Sequence, residues 1–218
     1  MEGLFSLLLL FVLSLLAVFF HLIRILFNSP VDFSLDWNLF LSWIPLIIAF
    51  LADILTKRYG HIPVILTLLS VGWIAFFPNA PYMITDLAHL TVDYHRDLTW
   101  HDIIMLFSYA EVSLFNGLVS LYWIHRSWRR VFHRKMANLL LLVSLPLAGF
   151  GVYLGRVRRM NSWDIIHEPE AIINNLIESI LDRTALVFSF EIGMLLGILY
   201  LVLWGVIRFR IRYSRKNS

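Results

Sequence analysis

The chain has 218 residues, 59% of them hydrophobic and 15% charged, with a mean hydropathy of +0.75. That balance excludes a single soluble domain, and long apolar runs along the whole length exclude a soluble protein with one anchor. There is no cysteine, which removes disulfides, thiolate metal ligation and cysteine nucleophiles. The net charge of +3 comes from basic residues at the ends of apolar runs, where they set orientation in a membrane and do not imply nucleic acid.

Crossing about 30 Å of hydrocarbon takes roughly 20 apolar residues. Six segments approach that length, at 4–27, 37–55, 62–77, 103–124, 137–154 and 184–207. The first carries Glu2 in place of a basic leader and has no small-residue cleavage site after it, so it is expected to be a retained helix and not a signal peptide. The third is short and runs into Pro78 and Pro81, which predicts an early end or a kink. With the first segment entering from the inside, 12 of the 18 Lys and Arg fall on the inner side, at Lys57 and Arg58, in 126–135 and in 208–216. The expectation is therefore an all-α, polytopic six-helix transmembrane bundle, one domain over 1–218, with both termini cytoplasmic. The basic stretches 126–135 and 208–216 are expected to rest against anionic lipid.

Between the fifth and sixth spans, Pro169 opens a segment with Ile172, Ile173, Leu176, Ile177, Ile180 and Leu181 at helical spacing. The opposite face carries Asn174, Asn175, Glu178 and Asp182. This pattern predicts a short amphipathic helix over 169–182, either lying on the outer membrane surface or capping the bundle, with its acidic polar face favouring the capping role.

Two motifs fall on that outer side. In the first, Asn79 is placed to cap a helix whose first turn accepts Pro81. If that helix continues, Tyr82, Asp86, His89 and Asp93 share one face. A carboxylate three residues from an imidazole orients it as a base, or simply locks a loop. Two ligands are too few for a metal site, and His95, His101 and Asp102 add no recognised spacing, so no metal is assigned. In the second motif, Gly151 and Gly155 permit close helix approach. Arg156, Arg158 and Arg159 then cluster where positive charge is disfavoured, with Asn161, Trp163 and Asp164 in a turn behind them. Either these arginines pair with outer acids such as Asp86, or they form an anion site for a phosphate or carboxylate.

Pro78-Asn79-Ala80-Pro81-Tyr82 with Thr85-Asp86-Leu87 and His89-Leu90, together with Leu154-Gly155-Arg156, Arg159 and Asn161-Ser162-Trp163-Asp164, resemble the family of bacterial integral membrane proteins filed as domain of unknown function 1361. The resemblance implies a bacterial inner or plasma membrane protein without assigned biochemistry. It supplies no catalytic residue.

Within the spans, Glu111 and Glu191 lie roughly 13 Å and 10 Å below the outer ends of the fourth and sixth helices. Buried carboxyls at that depth face a partner, a wet cavity or a neighbouring helix. Glu111 and Glu191 are accordingly expected either at the floor of an outward cavity or hydrogen-bonded across helices, with Ser108, Tyr109 or Asn116 as partners. Ser189, Gly193 and Gly197 form a small-residue stripe for close packing. No nucleotide fingerprint, nucleophile elbow or zinc-protease motif is present, so no cofactor is expected.

Three readings stay open. One is a membrane-embedded enzyme acting on a lipid or lipid-linked anionic substrate at the outer leaflet, with Asp86, His89 and Glu111 catalytic. Asn79, Tyr82, Arg156, Arg159, Asn161, Trp163, Asp164 and Glu191 would then bind. Another is a non-catalytic accessory or assembly protein with a protein partner. The third, a small transporter, would normally show internal repeats or interrupted helices in matching halves, and only the Pro-rich end of the third span is found.

Overall fold

A computed structural model describes residues 2–26, 33–88, 100–160 and 169–216. Helices account for the architecture, and there is no strand among the described residues. In chain order they are α1 (Glu2–Leu26), α2 (Phe33–Tyr59), α3 (Pro63–Phe76), α4 (Asn79–Tyr82), a 3-10 segment (Met83–Ala88), α5 (Trp100–Val131), α6 (Arg134–Arg156), α7 (Pro169–Leu181) and α8 (Arg183–Lys216). Among the described residues six stretches are long and apolar enough to cross a membrane, as the run lengths predict. The chain is thus a multi-pass membrane protein built as an all-α bundle.

The third span is the irregular one. Pro63 opens α3, where its missing amide hydrogen has no helical partner to lose. The helix stops at Phe76, yet the chain does not leave the bundle. Phe77 N–H donates to Trp73 O at 2.8 Å and Tyr82 N–H to Pro78 O at 3.1 Å, so Pro63–Ala88 forms one apolar span with a break in its middle. Two local expectations change here. Asn79 does not cap, since the residue before α4 is Pro78 and no side-chain cap forms. Its Nδ2 instead donates to Phe76 O at 3.0 Å, satisfying a carbonyl at the end of α3. Nor does α4 continue as an α-helix, because Met83–Ala88 is wound as 3-10, with about three residues per turn. Tyr82 and Asp86 therefore do not share the α-helical face that four-residue spacing implies. His89 and Asp93 lie outside the described residues.

Consecutive spans run in opposite directions. A Cβ on Gly3 would lie 3.0 Å from Phe50 and 3.8 Å from Trp123, so the first turns of α1 meet the second halves of α2 and α5. At the opposite end His21 meets Asp36. The second half of α8 returns to the first of these ends, where Tyr200 meets His125 of α5. Both terminal helices thus point to one end of the bundle, the termini end, and the two sequence motifs to the other, the motif end.

The core is centred on Trp73, which is fully buried. It stacks on Phe77 with centroids 4.2 Å apart and meets Trp128 edge-on at 5.7 Å. Both indoles find hydroxyl partners, Trp73 on Ser120 at 3.2 Å and Trp128 on Ser70 at 2.7 Å, as buried indole donors require. Close pairing of α6 on α8 uses the predicted stripe. Gly193 lies against the Leu145 and Pro146 backbone, with 3.0 Å left for a Cβ, and Gly149 faces the Ser189 backbone with no room for one.

The amphipathic helix forms at its expected place, ending at Leu181. Asp182 then caps α8, its Oδ1 accepting from Thr184 N–H at 2.9 Å. Of the apolar residues whose side chains the structure describes, Ile177, Ile180 and Leu181 remain 55–80% exposed and Leu176 is half-buried, while Ser179 on the neighbouring face is buried.

Candidate functional site

The two motifs dock on each other at the motif end. Gly151 receives the ring of Pro78, which leaves no space for a Cβ, and Gly155 receives Tyr82, whose Cε2 would be 3.2 Å from one. Four-residue spacing on α6 meets four-residue spacing on the other segment. On the far side of α4, Gly117 of α5 accepts Ala80, and Ser113 Oγ donates to Ala80 O at 2.8 Å. The short α4 is thus held between α5 and α6 by two glycine contacts and a hydroxyl, and this fixes the position of the 3-10 segment after it.

That segment carries Asp86, 5% exposed. Arg156 Nη1 donates to Asp86 Oδ1 at 2.7 Å and Nη2 to Thr85 O at 2.8 Å. The guanidinium also lies 5.7 Å from the centre of the Tyr82 ring. Thr85 Oγ1 in turn donates to Tyr82 O at 2.6 Å. One cation is therefore engaged by a carboxylate, a carbonyl and an aromatic face at once. Of the two alternatives for the arginine cluster, pairing with an acid of the first motif is the one the structure shows for Arg156.

The neighbouring residues behave differently. Arg158 Nη1 reaches Glu178 Oε2 at 3.5 Å, a long and exposed pair of small energetic weight. Arg159 is exposed and sits at φ 55°, in the left-handed region that a side chain normally avoids. Tyr153 Oη donates to Asp182 Oδ2 at 2.6 Å. That bond, aided by the Thr184 amide, holds the Asp182 carboxyl below the usual carboxylate range. His89, Asn161, Trp163 and Asp164 lie outside the described residues.

Glu111 and Glu191 do not join Asp86 and Arg156. Both are exposed, on α5 and α8. The partners suggested for a span glutamate across helices are engaged elsewhere: Tyr109 by Asp36, Asn116 Nδ2 by Ser42 Oγ at 2.9 Å, and Ser108 by its own helix at Ile104 O. The structure thus brings together Tyr82, Asp86 and Arg156 beside α4, turns Asn79 back to the end of α3, and leaves the two span acids exposed.

Several polar groups were not singled out by sequence. At the motif end, His21 Nδ1 and Asp36 Oδ2 are 3.0 Å apart, and Tyr109 donates to the other oxygen of Asp36. Arg24 pairs with Asp102 at 2.5 Å, and His101 Nε2 meets Phe20 O at 2.9 Å, so two contacts tie the end of α1 to the start of α5. At the termini end, Asp53 is 2% exposed and gathers Arg126, Arg130 and Lys57. His125 there bridges Tyr200 at 2.6 Å and Asn138 at 3.2 Å. The only sequence signal for Asp53 was an acid inside an apolar run with a lysine four residues on. No group of three His, Asp or Glu side chains able to hold a metal occurs among the described residues.

Residues 37–199 match the family described as Protein of unknown function (DUF1361). The chain belongs to the DUF1361 family. The match takes in both motifs, α5 to α7 and the acids Asp53, Glu111 and Glu191, so the docked α4 lies inside the family's domain. No curated protein and no solved structure matches.

Proposed function

We propose that this DUF1361 chain is a non-catalytic accessory or assembly protein of the plasma membrane, with both termini cytoplasmic, that binds the transmembrane helix of a partner protein. The observation that carries the reading is the exposure of Glu111 and Glu191 within apolar spans. A carboxyl in hydrocarbon is costly and is kept where something pairs with it. Each stands in an apolar ridge at four-residue spacing. Ile103, Phe107 and Phe115 flank Glu111, and Val187 and Leu195 flank Glu191. Such a ridge with one polar residue suits a partner helix that packs on it and offers a hydroxyl, amide or basic donor. The cytoplasmic placement of the termini rests on the bias of Lys and Arg toward the termini end.

Photo-reactive residues placed at Phe107 and Leu195, on the same ridges as the two acids, should each give a discrete protein adduct, while one at Leu68, an exposed apolar position on α3, should give lipid adducts only. Lipid adducts alone at all three positions would overturn the reading.

The enzyme reading retains one observation in its favour. Asp86 is a buried carboxylate three residues before His89, with Arg156 fixed beside it. On that reading an anionic lipid or lipid-linked substrate is processed at the outer leaflet, and His89→Gln abolishes complementation at normal abundance and melting temperature. On the assembly reading the same variant complements.

A further inference from the structure

At the termini end, three cations from two helices converge on one acid. Asp53 of α2 accepts from Arg126 Nε at 2.7 Å and from its Nη2 at 2.5 Å, a two-pronged contact. Arg130 Nη1 donates to Asp53 Oδ1 at 2.8 Å and to Thr56 Oγ1 at 3.1 Å. Lys57 Nζ lies 2.8 Å from Asp53 Oδ2. One carboxylate thus faces three cations, leaving an excess of two positive charges at one point. The carboxylate itself is closed off, 3% exposed by side chain, whereas Lys57, Arg126 and Arg130 are 54%, 31% and 27% exposed. Asp53 therefore acts as a hub that fixes the cations while their outward N–H groups face away from it. Lys57 has two further ammonium donors, and Arg130 engages Asp53 and Thr56 through Nη1, which leaves the rest of its fork.

The position selects the ligand. Asp53 is six residues from the end of α2, about 9 Å along the axis, and Arg130 is one residue from the end of α5. With these spans seated in a bilayer, their ends meet the headgroup layer, where lipid phosphates are the abundant anions. Arg58, Arg129, Arg134 and Lys135 flank the cluster in sequence, so a headgroup carrying its own cation would be repelled. We propose that Lys57, Arg126 and Arg130, ordered by Asp53, form a binding site for the phosphate of a net-anionic phospholipid between α2 and α5. The site is independent of the partner helix proposed above, since it lies at the other end of the bundle from Asp86 and uses neither Glu111 nor Glu191.

The test uses the purified full chain in a neutral detergent, melted with added phosphatidylglycerol, phosphatidylcholine or inorganic phosphate. Phosphatidylglycerol is expected to raise Tm by about 3 °C more than phosphatidylcholine does. The Lys57→Gln and Arg130→Gln double variant should lose at least half of that difference, and Arg208→Gln with Arg210→Gln, which removes equal charge from the tail, should keep it. If the double variant does not fold, Lys57→Gln alone, at an exposed position, should reduce the difference while the Lys57→Arg and Arg130→Lys pair retains it. Equal response to the two lipids, equal loss in the tail variant, or a full shift with inorganic phosphate would each overturn a lipid site here.

Discussion

Arg156 reaches Asp86 across 70 residues of sequence, with 2.7 Å between Nη1 and Oδ1, and it closes the same contact by donating to the Thr85 carbonyl at 2.8 Å. The pair joins the two motifs and sits where α6 leaves the bundle, so the motif end is held by an ion pair as well as by packing. Because the fork is occupied by a carboxylate and a carbonyl, Arg156 works first as a structural cation.

Removing either partner should be costly and similar in size. Asp86 is 7% exposed by side chain and Arg156 24%, so removing one takes a charged contact from a largely buried partner. Asp86→Ala and Arg156→Ala should each destabilise the detergent-solubilised protein by about 3 kcal/mol, read as lower folded yield and lower Tm. A charge swap should recover only part of the loss, since an aspartate at 156 would face the Thr85 carbonyl without donors to offer it. Normal abundance of both single variants would show that the pair is not structural.

Glycine substitutions should rank by what their new methyl meets. Gly151→Ala drives a Cβ into the Pro78 ring, which is held in the chain break and has nowhere to go, so a loss of about 2 kcal/mol is expected. Gly155→Ala meets the flexible edge of Tyr82 at 3.2 Å and should cost less. Gly205→Ala has nothing within 4 Å and should be neutral or stabilising by up to about 1 kcal/mol. Tm values of the three variants check the order. A Gly151→Ala protein as stable as Gly205→Ala would mean that α4 does not dock as described.

The spans were legible because their signal is one-dimensional: a run of apolar residues of a given length has few fates. The Asp86–Arg156 contact was legible for a related reason, as opposite charges at the same end of a bundle have few other partners. Helix rotation, by contrast, could not be read from the sequence. Glu191 is two residues from Ser189 and from Gly193, about 200° around the helix. Once that stripe packs on α6, Glu191 must point outward, and Glu111 is placed in the same way by buried Tyr109 and Ser113 on either side of it. The Asp53 cluster was hidden because Lys57, Arg126 and Arg130 had all been accounted for as orientation signals. The switch to 3-10 winding after Tyr82 has no local composition to announce it, and it arises from the seating of Pro78, Ala80 and Tyr82 against α5 and α6.

Acid should loosen the junction of α7 and α8 before the bundle itself. The Tyr153 hydroxyl and the Thr184 amide hold the Asp182 carboxyl below its ordinary value. A carboxyl with a depressed folded value stabilises fully above the unfolded value of about 3.9 and loses that contribution as pH falls through the folded one. Between pH 5 and 3 the wild type should therefore lose more Tm than Asp182→Asn, which has no such group to protonate. Parallel pH profiles for the two proteins would show that the cap contributes nothing.

The last expectation separates the hub at Asp53 from its spokes. Asp53→Ala leaves three cations facing one another with no anion between them, Arg126 and Arg130 being about 30% exposed, so repulsion acts together with the loss of the charge that offset their desolvation. A loss of about 4 kcal/mol is expected, enough to remove most folded protein. Arg126→Ala should come next, since it forfeits the two-pronged contact and leaves Asp53 with two cations still in place. Lys57→Ala should cost under about 1 kcal/mol, because its ammonium is half-exposed and largely solvated in either state. The order Asp53, Arg126, Lys57 in folded yield and in Tm is the signature of a single buried acid organising partly exposed cations. A reversed order, with Lys57→Ala the most damaging and Asp53→Ala tolerated, would mean that the cations are held by lipid and not by Asp53.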